Sequence, residues 1–164
     1  MLLGNTKEEK LFELAKPYLE KNDFGVTHTQ RVFNIAKKNF TINDESKEEI
    51  YALIILHDIG GSSIKEQYER GPLIASELMK QLGYPDSIIV NVCEMIKHHH
   101  EKLDDASEPF KILYDSDQIV KFSEEEFHYY SSRKIDLDPL IDSMYYDNSK
   151  ILAKKMLSLR TMRE

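Results

Sequence analysis

Apolar residues along this chain recur at three- and four-residue spacing between short polar or Gly/Pro breaks, with no sustained period-two alternation. That pattern predicts helices and an all-α fold. A first amphipathic helix over 8–20 gathers Leu11, Leu14, Ala15, Tyr18 and Leu19, with Pro17 placed to kink or shorten it. A second, over about 27–40, aligns His28, Val32, Ile35, Ala36 and Asn39. Asn43-Asp44-Glu45-Ser46 reads as a loop, with Ser46 and Glu49 forming a capping box for the third helix. That helix carries Ile50-Tyr51-Ala52-Leu53-Ile54-Ile55, apolar on every side and so expected to be buried, and Gly60-Gly61 is its stop. The polar stretch 62–70 has no evident period. Gly71-Pro72 opens a helix that runs to Gly83 with Leu73, Ile74, Leu78, Met79 and Leu82 inward. Pro85 opens the next, with Ile88, Ile89, Val92, Met95 and Ile96 inward, and another spans 110–122. The charged and aromatic remainder, 123–164, breaks near 136–139 and 147–148. Its last helix suits packing across the bundle or a homodimer contact.

Several polar residues interrupt the apolar stripes. His28 lies on the inward face of the second helix, and His57-Asp58 closes the buried third. Continuing the period of the fifth helix reaches His99 and, slightly rotated, His100. In the helix over 110–122, Asp115 and Asp117 each share a stripe with apolar residues, and periodicity does not choose between them. A buried carboxylate is costly without a partner, so Asp58 calls for a counter-charge. His128 has no companions and reads as surface.

Composition narrows the setting. A length of 164 residues, 41% hydrophobic and 31% charged, fits one globular domain. The net charge of −7 argues against nucleic acid as the main ligand, while leaving room for a local basic pocket. The single cysteine, Cys93, precludes an intramolecular disulfide or a cysteine zinc cluster, and its apolar neighbours point to packing. No apolar run approaches the roughly 20 residues of a membrane helix, and no secretory signal is visible, so a cytoplasmic location is expected.

Three helices that each bring a His or Asp to an apolar face can build a metal site at their meeting point. Two imidazoles and two carboxylates suit divalent Fe, Zn, Mn, Ni, Co or Mg, leaving open coordination positions of the catalytic kind.

The ordered set His28 … His57-Asp58 … Asp117 resembles the HD-domain superfamily of metal-dependent phosphohydrolases. Thr27-His28-Thr29-Gln30-Arg31-Val32 is similar to its H-x-x-R-V, His57-Asp58-Ile59-Gly60 to H-D-I-G, and Ser116-Asp117-Gln118-Ile119 to A-D-[RK]-L. Together with Gly71-Pro72, Leu82-Gly83-Tyr84 and His98-His99-His100, these motifs resemble small bacterial HD hydrolases over about 25–122, with 123–164 packing on that core. The resemblance implies an HD helical bundle whose first metal is held by His28, His57, Asp58 and Asp117. It implies substrate contacts from Arg31, Lys65, Gln67, His99 and His100, with Asp58 orienting water and Glu66 or Glu69 as general base. In two-metal relatives a further histidine precedes the fourth helix. Here Gln67 stands nearest that place, so one tightly held metal is expected, with His99 and His100 binding substrate phosphate or a weak second ion. The Gly-Tyr-Pro element of cyclic-dinucleotide phosphodiesterases and the acidic pair of ppGpp hydrolases are missing. The implied substrate is a small phosphate ester such as a nucleotide; the alternatives are a di-iron oxygenase and a metal- or nucleotide-binding regulatory module.

Overall fold

The computed structural model describes residues 6–162, and among them ten α-helices, one 3-10 turn and no strand. In chain order the helices are α1 (Lys7–Leu19), α2 (Gly25–Asn39), α3 (Asp44–Leu56), α4 (Ile64–Glu69) and α5 (Gly71–Gln81). They continue as α6 (Asp86–Ile96), α7 (Glu108–Ile119), α8 (Phe127–Ser132), α9 (Asp138–Ser143) and α10 (Asp147–Thr161), with the 3-10 turn at Val120–Phe122. None is long and apolar enough to cross a membrane.

The all-round apolar segment is the axis of the fold. Ile50 through Leu56 are all buried, and α3 packs against α1, α2, α6 and α7. Each large apolar side chain so buried contributes about 1.5–3 kcal/mol relative to an exposed position. A smaller apolar cluster joins Ile119 and Phe122 to Leu137, Ile141, Met144 and Ala153, anchoring the C-terminal helices to the end of α7.

Several boundaries differ from the sequence expectation for local reasons. Residues 44–46 are the first turn of α3 rather than a loop. Asn43 caps the helix, its side chain accepting from Ser46 N, while Asp44 and Glu45 favour the positive end of the helix dipole. Glu49 is therefore free of capping and accepts from Asn91 Nδ2 at 2.9 Å. A capping box exists elsewhere, between Ser63 and Glu66, and it gives the stretch 62–70 its one short helix, α4. Asn39 and Leu73 turn outward, with Leu73 73% exposed, whereas Ala75 takes the inward place beside Leu78 and Met79. Pro17 is accommodated near the end of α1. Cys93 is half-buried and donates to the Pro72 carbonyl, in keeping with packing, and His128 is exposed.

The glycines after His57-Asp58 do not themselves stop the third helix, which ends at Leu56 with His57 as its C-cap; they serve close packing. A Cβ on Gly60 would fall 2.4 Å from the Glu66 carbonyl oxygen, 2.7 Å from Gly71 N and 2.8 Å from Gln67 Cα. Backbone meets backbone there, so the end of α3 and the α4–α5 junction are clamped at a distance only glycine permits. Gly60→Ala is expected to cost about 3 kcal/mol, at the upper end of overpacking penalties. Thermal unfolding would show it, with Gly25→Ala, where no atom lies within 4 Å of the new Cβ, as a milder strained-φ control.

Candidate metal centre

Four elements deliver polar side chains to one place. His28 comes from the first turn of α2, His57 and Asp58 from the end of α3, His99 from the turn after α6, and Asp117 from the buried side of α7. His28 Nε2 lies 3.3 Å from Asp58 Oδ2 and 3.1 Å from Asp117 Oδ1. His57 Nε2 lies 3.2 Å and 3.6 Å from the same two oxygens. The other oxygen of Asp58, Oδ1, faces His99 Nε2 at 3.5 Å. Asp58 thus sits between two donor groups, His28–His57–Asp58 and Asp58–His99–His100, each with its donor atoms within 4.8 Å of one another. Asp117 closes on the first group through the two histidines.

The hydrogen bonds of the imidazoles bear on whether these residues fit a metal. Nδ1 of His57 donates to the Ile54 carbonyl at 2.7 Å, and Nδ1 of His99 to the Ile96 carbonyl at 2.8 Å. With Nδ1 so engaged, the Nε2 atoms of both rings are buried and lack an aligned hydrogen-bond partner; the 3.2 Å approach of His57 Nε2 to Asp58 is off-line. Donors that share one ion at about 2.0–2.2 Å must stand roughly 3–4 Å apart, and the separations of His28 and His57 Nε2 from the Asp58 and Asp117 oxygens, 3.1–3.6 Å, have that spacing. The residues fit a small divalent ion with mixed nitrogen and oxygen ligands.

Electrostatics point the same way. Burial works against a charged His28, but hydrogen bonds to Asp117, Asp58 and Glu126 override it and push its pKa up to about 12. His57, fully buried, is likewise raised to about 10 by Asp58 and Asp117. Burial opposes ionisation of Asp58 and Asp117 too, yet His57 and His28 hold both carboxyls well below the usual range. His100 behaves oppositely: burial and the neighbouring His99 lower its pKa to about 4, so it is neutral.

Asp115 and Asp117, which periodicity leaves equivalent, are both buried but serve different partners. Asp115 accepts from the backbone N–H groups of Tyr145 and Tyr146 at 2.8 and 3.0 Å, fastening the start of α10 to α7. Asp117 faces the histidines.

A cavity of about 360 Å³ opens onto His28, Asp58 and Asp117, with Gln67 and His100 on one side. Gln67 bridges the Gly61 carbonyl, at 3.0 Å, and His100 Nε2, at 2.6 Å. Neither Lys65 nor Arg31 lines this cavity; Lys65 is exposed on α4 and Arg31 is engaged by Glu126. Glu66 and Glu69 are exposed and do not line it either. The Glu66 carboxylate folds over Gly61 at the rim and is occupied by the Ser63 hydroxyl at 3.0 Å. The cations that do line it are Lys121 and Arg133, beside Tyr129 and Tyr130. A larger cavity, about 510 Å³ among α1, α2 and α3, is lined by Phe12, Phe33 and Tyr51 and by no histidine, so chemistry rather than size locates the site.

Sequence reasoning missed Lys121, Arg133 and above all Glu126. Glu126 is fully buried and hydrogen-bonds His28 Nδ1 from 123–164, beyond the stretch that carries the motifs. Nothing within the run Glu124-Glu125-Glu126 distinguishes its third member.

An imidazole binds metal only when neutral, so protons compete with the ion. Both histidine pKa values, about 12 and about 10, lie above neutrality in the metal-free protein. Uptake of a divalent ion at pH 7.5 is expected to release about two protons, and affinity to rise steadily from pH 6 to 8. Calorimetric titration in buffers of different ionisation enthalpy measures this; uptake without proton release would contradict it.

A crystal structure described as a predicted HD superfamily hydrolase, from an uncultured Thermotogales bacterium, superposes with a TM-score of 0.66 at 18% identity. The match covers 93% of this chain and 86% of that one, a likeness of fold. No curated protein sequence matches. The HD domain profile matches residues 25–137, beyond the expected limit of 122 and far enough to include Glu126. With that profile spanning well over half of its length, the chain belongs to the HD domain family.

Proposed function

We propose that this protein is a metal-dependent phosphohydrolase acting on a small phosphate ester, a nucleotide among the candidates. The observation that supports it most is Asp58, flanked by imidazole Nε2 atoms on both of its oxygens, at the floor of a cavity that also presents two cations. In this reading His28, His57, Asp58 and Asp117 hold one divalent ion. Bound there, such an ion supplies polarisation of a phosphoryl oxygen and acidification of water.

The remaining work falls to the chain's own groups. Lys121 Nζ donates to Gln118 Oε1 at 2.9 Å and keeps two further hydrogens for a phosphoryl oxygen. Arg133 Cζ lies 3.6 Å from the Tyr129 ring centroid and Nη1 donates to the Tyr129 carbonyl at 3.2 Å, which leaves further guanidinium N–H groups for substrate. These two replace Arg31 and Lys65 as the charges that meet substrate. His100, neutral and tied to Gln67, serves as a hydrogen-bonding wall rather than a cation. In this reading Asp58, whose Oδ1 lies 3.5 Å from His99 Nε2, orients a water against the phosphoryl group. The Gln67–His100 bond favours one ion over two and weighs against a di-iron oxygenase.

Asp117→Ala is expected to abolish both bound metal and phosphate release, whereas Asp115→Asn should lower thermal stability yet retain metal. Full metal content and hydrolysis in Asp117→Ala would sink the proposal. Lys121→Met should raise KM by about ten- to a hundredfold, the range for losing a hydrogen bond to a charged group, with metal content unchanged. Metal analysis and a phosphate-release panel with each metal are the measurements; nucleotide binding without turnover would favour the regulatory reading.

A further inference from the structure

The three buried histidines solve the same problem in two ways. Each must hold Nδ1 on an acceptor so that Nε2 is directed to the carboxylates. His57 and His99 follow helix C-termini, where the last carbonyls have no intrahelical partner, and each uses the carbonyl three residues back. His28 lies in the first turn of α2, where the spare groups are N–H donors rather than acceptors. It has no local carbonyl to use.

Glu126 supplies the missing acceptor from outside the helix. Its Oε1 and Oε2 lie 3.1 and 2.9 Å from His28 Nδ1. Oε2 also accepts from Arg31, at 2.9 Å from Nε and 2.8 Å from Nη2. The Glu126 side chain has no exposed surface, and its backbone N–H is held by Ser123 through both Oγ and the carbonyl at 3.3 Å. Arg31 therefore balances the charge of a carboxylate whose remaining work is directed at one ring nitrogen.

We propose that Glu126 is a positioning residue for His28, held in place by Arg31, and that divalent-cation binding at the His28–His57–Asp58 group depends on its acceptor oxygen. This inference rests on the metal reading above. It assigns Arg31 to the support of the centre and ties the segment before α8 to an ion bound by α2 and α3. Hydrogen-bonded supports of this kind orient the ligand ring and fix its tautomer.

Co²⁺ titration of the metal-free full chain tests it, with visible absorption reporting coordination geometry and chelator competition reporting affinity. Glu126→Ala should weaken Co²⁺ binding by about 10–100-fold and alter the absorption bands, with unchanged far-ultraviolet circular dichroism. Glu126→Gln separates position from charge: its oxygen can accept from both His28 and Arg31, so its loss should stay below about tenfold. If Glu126→Gln binds as weakly as Glu126→Ala, the effect is one of charge and the proposal is overturned. Wild-type affinity and spectrum in a folded Glu126→Ala would overturn it equally. Should Glu126→Ala fail to fold, Glu126→Asp keeps the charge and withdraws the acceptor. It should bind more weakly than Glu126→Gln, and wild-type affinity there overturns the proposal. Wild-type protein that takes up no Co²⁺ would instead bring down the metal reading itself, and this inference with it.

Discussion

Two carboxylates among imidazoles, Asp117 buried and Asp58 largely so, set the terms for this molecule. Asp58 and Asp117 stand inside the bundle, where an unpaired charge is far more costly than on the surface. Without an ion, His28 and His57 carry the counter-charge, each held protonated by the acids around it. A divalent cation bound there would exchange for two such protons with the charge balance kept. The same packing would then serve with and without an ion, since the donor atoms already stand 3.1–3.6 Å apart.

Backbone packing holds that arrangement in place. The core helix α3 is buried along its last two turns, so its C-terminal end is a fixed platform for His57 and Asp58. Gly60 lets the α4–α5 junction press directly against that end, bringing Gln67 to the cavity wall. The carbonyls of Ile54 and Ile96, in the last turns of α3 and α6, orient two rings at no cost in extra residues. Glu126 and Arg31 extend the same support to the third ring, joining the C-terminal segment to the centre.

Helix existence was legible because apolar spacing reports it directly, and the inward histidines were legible because they interrupt those stripes. Capping was less so: Asn43 and Ser46 both suit an N-cap, and only the helix path shows Asn43 in that role. Leu73 fits an amphipathic stripe yet faces outward, because Ala75 fills the close approach between α5 and its neighbours. The cations of the cavity were misplaced for a related reason. Arg31 and Lys65 lie near the motifs in sequence, whereas Lys121 and Arg133 are brought to the cavity only by the chain's return after α7.

The sequence by itself determined the all-α class, the buried central helix and the inward placement of His28, His57 and His99, since each follows from residue spacing along a helix or its continuation. Motif order, by resemblance, singled out Asp117 where spacing left Asp115 equal. Only the tertiary structure decided what each buried acid does. Asp115 meets two backbone N–H groups of a later helix, Asp117 meets two imidazoles, and Glu126 crosses from a distant turn to His28. Those pairings join residues about 30 to 98 positions apart, and a one-dimensional pattern carries no information on which buried donor will face which buried acceptor.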